Sequence, residues 1–151
     1  MNARIPNPAQ SLPGALQSLL GVGKAVHATG LSPALLAMVE LRASQINGCS
    51  LCVDMHAQDL VKNGGSEQQA RGVAAWRESP YFDERERAAL ALSEAVTRLS
   101  DREDAVPDRI WDAAAAHFNE TELAGLVTAI ALVNLWNRIN TATRQPAGSA
   151  W

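Results

Sequence analysis

The chain has 151 residues, 47% of them hydrophobic and 19% charged, with a formal net charge of −3. That length suits one domain with a real core, and that composition argues against disorder. There is no basic run or basic face to neutralise phosphates, so nucleic acid is set aside as a partner.

Residues 1–13 carry Pro6, Pro8 and Pro13 and read as an irregular arm. The arm has no apolar stretch of the kind a signal peptide needs. A short helix is predicted over about 14–28, ending at Gly30. Ser32-Pro33 is a helix start, serine as cap and proline at the first position, and opens PALLAMVELRASQI. That helix ends near Asn47-Gly48, and the next runs from around Cys49 to Gly64-Gly65. Ser66 with Gln69 has capping-box spacing and opens a helix through about Arg77. Pro80 interrupts, and Asp83 with Glu86 then opens ERERAALALSEAVTRL. Pro107 starts IWDAAAAHF, and Asn119 with Glu122 opens a long final helix to about Thr143. Residues 144–151 read as a flexible tail.

No stretch shows the alternation of a strand. The expectation is an all-α, single-domain fold over residues 14–143 with about six to seven helices. The most apolar run, residues 123–133, falls short of the roughly 18 apolar residues of a membrane span and reads as a buried helix. A cytoplasmic protein with no membrane contact is expected.

The chemistry concentrates in NGCSLCVDMHAQ, residues 47–58, which holds both cysteines of the chain. Asn47-Gly48 is a turn dipeptide, so Cys49 falls at a helix start and Cys52 in its first turn. Unpaired N–H groups and the positive end of the helix dipole favour thiolate there, lowering a cysteine pKa from about 8.5 to roughly 3.5–7.5. His56 follows Cys52 by four residues and Cys49 by seven, so all three share nearly one helix face. The imidazole can take a proton from Cys52 or return one to a leaving oxygen. Asp54 is rotated away and reads as solvated.

Other readings of the motif remain open. A zinc site would use Cys49, Cys52 and His56 and would still need a fourth ligand, from His27, His117 or a carboxylate. A c-type haem needs histidine directly after the second cysteine, where Val53 stands. A thioredoxin-like domain needs strands that this chain lacks. A structural disulfide closing so short a loop would add little stability. Two inert buried cysteines beside a core histidine are the bland alternative.

The residues 40–65, ELRASQINGCSLCVDMHAQDLVKNGG, resemble the core of the alkylhydroperoxidase D (AhpD)-like branch of the carboxymuconolactone decarboxylase family. AWRESPYFDERERAALALSEAVT, residues 75–97, resembles its continuation in single-domain members. The resemblance implies an all-helical subunit that assembles into trimers or into hexamers built from them. It implies a thiol peroxidase in which Cys52 attacks a hydroperoxide, Cys49 resolves the sulfenic acid to a disulfide, and His56 belongs to a proton relay. An external dithiol or thiol protein would supply the electrons, with no metal, flavin or haem as cofactor. Two positions depart from the pattern. Leu51 stands where that branch has a second histidine, and Ala37 where it has its relay glutamate. Glu40, roughly on the same face as Ala37, is the nearby substitute that would orient His56. Its other reading is a solvated glutamate beside Arg42.

Two further activities stay in view. One is a non-redox decarboxylase or isomerase of a small lactone acid, as the family name suggests, which would not need the cysteine pair. The other is a non-catalytic helical assembly that senses redox state. Elsewhere, His27 and His117 read as structural or exposed, and Glu94 as a carboxylate facing a site or a neighbouring subunit. Trp76, Trp111 and Trp136 read as packing residues, Arg85 and Arg87 as a solvated face. Asn134 and Arg138 are candidates for lining a pocket.

Overall fold

The computed structural model describes residues 2–101 and 103–149. Among them are eight α-helices, two 3₁₀ turns and no strand. The helices are α1 (Pro8–Ser11), α2 (Ala15–His27), α3 (Pro33–Asn47), α4 (Ser50–Lys62), α5 (Glu67–Gly72), α6 (Glu84–Thr97), α7 (Asp108–Ala115) and α8 (Glu120–Thr143), with 3₁₀ turns at Val73–Ala75 and Leu99–Asp101.

Local chemistry starts most of these helices. Ser32 accepts from the Leu35 N–H at 3.2 Å, with Pro33 at the first position of α3. The capping boxes predicted at Ser66/Gln69, Asp83/Glu86 and Asn119/Glu122 are all present. The Asn119 N–H and the Arg85 guanidinium both hydrogen-bond Glu122 and hold its carboxyl below the usual range.

α3 is the centre of the molecule, packing on α4, α6 and α8. It is buried on nearly every side through Leu35, Leu36, Met38, Val39 and Leu41, as expected of a helix whose apolar residues follow no single stripe. One core joins α2, α3, α6, α7 and α8 around Leu36, Leu92, Leu126 and Ile130, and a second joins α3, α4 and α6 around Leu41, Leu60 and Leu90. Full burial of each such side chain contributes about 1.5–3 kcal/mol before entropy is counted. Helices α3 and α6 are also tied by Ser93 Oγ, which donates to Val39 O at 2.9 Å inside the core.

Three segments differ from the sequence expectation. α1 lies within the stretch read as an irregular arm, capped by the buried side chain of Asn7. Residues 4–5 meet residues 143–145: Arg4 N–H donates to Thr143 O at 2.8 Å, and Gln145 Nε2 to Ile5 O at 3.0 Å. The helix predicted from Ser66 to Arg77 is α-helical only to Gly72 and then tightens to a 3₁₀ turn. Arg87 holds the segment that follows, its guanidinium taking the carbonyls of Trp76, Arg77, Ser79 and Phe82. Arg87 is thus no free surface charge, while Arg85 keeps much of its side chain exposed as expected and also pairs with Glu122 at 2.7 Å and stacks over Phe118.

Glu94 occupies the middle of this scaffold rather than a site. Its carboxylate, 5% exposed, accepts from Arg42 Nε at 2.7 Å and Trp76 Nε1 at 2.9 Å, and pairs with Arg77 at 2.7 Å. Burial alone would raise its pKa. The hydrogen bonds from Arg77, Trp76 and Arg42, with the Arg42 charge, outweigh burial and hold it at about 2, against an ordinary 4.5. A carboxyl depressed on folding stabilises the native state above its unfolded pKa, and that contribution disappears as pH falls through the folded one. Glu94→Gln is therefore expected to lose about 2–3 kcal/mol at neutral pH. Urea titrations across the acid range should show the wild type weakening from pH 4.5 toward 2, with a flatter profile in the variant.

Candidate functional site

The corner between α3 and α4 positions the cysteines. Gly48 takes a left-handed conformation at φ 68°, which closes α3 and turns the chain without a side-chain clash. Cys49 then stands at the N-cap of α4, where serine or aspartate is usual, and its sulfur accepts from the Cys52 N–H at 3.3 Å. The two sulfurs are bonded at 2.06 Å, with Cα atoms 5.3 Å apart. Both cysteines are buried, Cys49 at 2% and Cys52 at 0% exposure, and Leu51 between them is buried too.

One turn along α4, His56 is 8% exposed, and its Nδ1 lies 3.3 Å from Glu40 Oε2 on α3. Of the two surroundings expected for Glu40, the structure places it beside His56, while Arg42 turns away to Glu94. A carboxylate on Nδ1 fixes the ring and leaves Nε2 as the nitrogen free to exchange a proton. Cys52, His56 and Glu40 all line a cavity of about 620 Å³, and Cys49 does not. The opposite wall is apolar, built by Leu16, Leu19 and Leu20 of α2 with Leu132, Val133 and Trp136 of α8. Lys24 and His27 lie exposed at the rim, and Asp59 adds a half-buried carboxylate. Asn134 and Arg138 do not line this cavity.

Among the described residues, no group of three histidine, cysteine or acidic side chains is arranged to hold a metal ion. His117 lies away from the cavity, on the segment whose carbonyl accepts from Arg85. Asp54 accepts from Gln58 at 3.1 Å on the outer side of α4.

What holds the corner in place was not legible in the sequence, where Asn47 reads as a turn residue and Asn134 as a pocket candidate. Asn47 Nδ2 donates to Asn134 Oδ1 and to Asn137 Oδ1, both at 2.9 Å. Asn137 Nδ2 continues to Ser44 Oγ at 3.0 Å, and Asn134 Nδ2 to Thr97 Oγ1 at 3.1 Å. One more asparagine of the same α8 stripe, Asn140, donates to Cys52 Sγ at 3.5 Å. The available signal was three asparagines recurring every three residues, at 134, 137 and 140, in an otherwise apolar helix.

With this geometry in view, the chain is placed among all-helical proteins that carry a two-cysteine helix start beside a histidine. A family model, the carboxymuconolactone decarboxylase family, matches residues 13–95, and the chain belongs to that family. It is similar to the uncharacterised protein YdfG of Bacillus subtilis, 32% identical over 137 residues, spanning 91% of this chain and 92% of YdfG. It is also similar to the solved structure of ATU0492 from Agrobacterium tumefaciens, a protein of unknown function described provisionally as the antioxidant defence protein AhpD. That match has 36% identity and a TM-score of 0.89, and covers 99% of this chain and 100% of that one. An AhpD-core, peroxidase-related protein from Ralstonia eutropha shares the fold at 20% identity, with a TM-score of 0.72 over 97% of this chain and 93% of that one. The expected AhpD-like, all-helical architecture is thereby confirmed.

Asn137 is fully buried with both ends of its amide engaged. Asn137→Ala should therefore cost about 1–3 kcal/mol, since the fully buried Ser44 loses a partner that water cannot replace and Asn47 is left with Asn134 alone. Thermal and urea unfolding followed by circular dichroism would detect this.

Proposed function

We propose that this protein is a thiol-dependent peroxidase. The observation that carries the reading is that Cys52, and not Cys49, lines the cavity shared with the His56–Glu40 pair. In the reduced protein, His56 takes the Cys52 proton. The thiolate attacks the terminal oxygen of a hydroperoxide ROOH, breaking the O–O bond and giving Cys52 sulfenic acid. The departing alkoxide receives the proton from His56 and leaves as ROH. The Cys49 thiol then condenses with the sulfenic acid, releasing water and forming the disulfide, whose Cα separation of 5.3 Å suits such a bond. An external dithiol reduces it by exchange and is itself oxidised to a disulfide. The sum is ROOH plus dithiol giving ROH, water and disulfide.

Glu40 keeps the imidazole oriented through its contact with Nδ1. Leu51, in place of a second histidine, leaves His56 as the histidine of the relay. A reducing compartment such as the cytoplasm fits a pair that must return to thiols. Assembly into a homotrimer or homohexamer belongs to the same reading, and the exposed Leu12, Leu20, Val22 and Leu135 offer apolar surface for it. Light scattering should return a trimer mass or a multiple of it, and a monomer mass would remove assembly from the reading.

The redox chemistry is tested by counting thiols before and after one equivalent of an alkyl hydroperoxide. Reduced wild type should lose two thiols. Cys49→Ser should stop at a sulfenic acid that a dione probe captures, and Cys52→Ser should show no rapid reaction. His56→Ala should slow the peroxide step by about 100-fold at neutral pH, and Glu40→Gln by less. Two thiols that persist in the folded wild type would exclude the peroxidase.

A further inference from the structure

We propose that Asn140 is the hydrogen-bond donor that stabilises the Cys52 thiolate, and that Asn7, from the N-terminal arm, is the positioning residue that aims it. The proposal rests on the reading above in taking Cys52 as the attacking sulfur.

The direction of the interaction follows from a chain of three hydrogen bonds. The Ala9 N–H, in the first turn of α1, bonds the Asn7 side chain at 3.0 Å. A backbone N–H can only donate, so the atom facing it must be Asn7 Oδ1. The other arm of the Asn7 amide is then its NH₂ group, and it meets Asn140 at 3.2 Å. The partner there must be an acceptor, so Asn140 presents Oδ1 to Asn7 and its own NH₂ to Cys52 Sγ, 3.5 Å away. Reversing the Asn140 amide would set two donors against each other at one end and turn its oxygen toward the sulfur at the other. A peptide N–H near the start of the chain thus fixes what the sulfur sees, although Asn7 and Asn140 are 133 positions apart.

The site gives this donor weight. Asn140 is 1% exposed and Cys52 0%, so water is poorly placed to solvate a charge on the sulfur. A hydrogen bond to an anion is roughly twice as strong as one to a neutral acceptor. Asn140 therefore favours thiolate over thiol. The charged and titratable side chains around the same cavity are Glu40 from α3, His56 and Asp59 from α4, and Lys24 and His27 from α2. Two of these are carboxylates, which oppose a thiolate. From α8 the cavity receives Leu132, Val133, Trp136 and Asn140, with no charge among them, and from α1 the neutral Gln10. On the α8 side the amide is the group that offsets the negative charge.

The test uses the full-length chain carrying Cys49→Ser, which leaves Cys52 as the sole thiol and keeps a serine cap at the start of α4. The rate of alkylation by iodoacetamide is followed against pH, with circular dichroism as the check on folding. Asn140→Ala should move the midpoint up by about one pH unit, cutting the thiolate fraction about tenfold at any pH well below both midpoints. Asn140→Asp, nearly isosteric, sets a carboxylate oxygen against the sulfur and should move it further. It serves in place of the alanine variant if that one does not fold. Asn7→Asp keeps an acceptor for Ala9 N–H but offers no proton to Asn140, so it should also raise the midpoint. In the Asn7→Asp/Asn140→Ala double variant the shift should fall short of the sum of the two, because the effect of Asn7 passes through Asn140. A folded Asn140 variant with an unchanged midpoint would overturn the donor role, and additive shifts would overturn the positioning role of Asn7. Alkylation needs no peroxide. A protein that follows this pattern yet ignores hydroperoxide would therefore defeat the peroxidase reading and leave this one standing.

Discussion

The arrangement of the site depends on the buried amide cluster that joins the α3–α4 corner to α8. Asn47 bridges Asn134 and Asn137, and Asn137 reaches on to Ser44. Apolar packing could hold α3 against α8 at several neighbouring settings, because dispersion and hydrophobic burial have little directionality. Buried amides do not tolerate that slack. A small slide would leave the buried Asn137 and Ser44 without partners where water is excluded, and each loss is costly. Among the described side chains, no buried nitrogen or oxygen lacks a partner. The corner that carries Cys49 and Cys52 is therefore set in one position relative to the helix that bears Asn140.

A second polar centre does similar work on the far side of α3. Glu94 gathers Arg42, Arg77 and Trp76, and so ties α3, the segment after the Val73–Ala75 turn, and α6 together. Its effect on the site is indirect. By engaging Arg42 it removes the nearest cation of α3 from competition for Glu40, whose carboxylate meets His56. The scaffold thus leaves the histidine with an anionic partner on Nδ1. Beside it, Cys52 lines a largely apolar cavity and Cys49 does not. That asymmetry between two cysteines three positions apart comes from the helix start. The N-cap residue folds back over the first turn, while the third helical residue lies on the helix face that also carries His56, and both line the cavity.

Much of this could be read from the sequence where the cause was local. Helix starts were legible because a cap and its partner lie three residues apart, as at Ser66/Gln69, Asp83/Glu86 and Asn119/Glu122. The placement of Cys49 at the cap and His56 on the next turn followed from the Asn47-Gly48 turn and helical phase. Where the cause was distant, the sequence misled. The helix expected to run to Arg77 is α-helical only to Gly72, and Arg87, from another helix, binds the carbonyls of the segment beyond it. The pairing of Arg85 was not legible because its partner, Glu122, lies 37 positions away. Asn7 looked like part of a loose arm, although it is buried against Asn140.

By itself, then, the sequence determined the helical class, most helix boundaries, and the cysteine pair at a helix start with a histidine one turn on. All of these depend on backbone propensity, capping and a repeat of 3.6 residues, which act over a few positions. The tertiary structure alone decided which sulfur lines the cavity, which carboxylate meets His56, and which amide faces Cys52. Those outcomes depend on how α2, α3, α4 and α8 close upon one another. Side chains brought together by packing carry no mark of their partners in the order of the chain, and their directional hydrogen bonds select one register from the many that burial alone would allow.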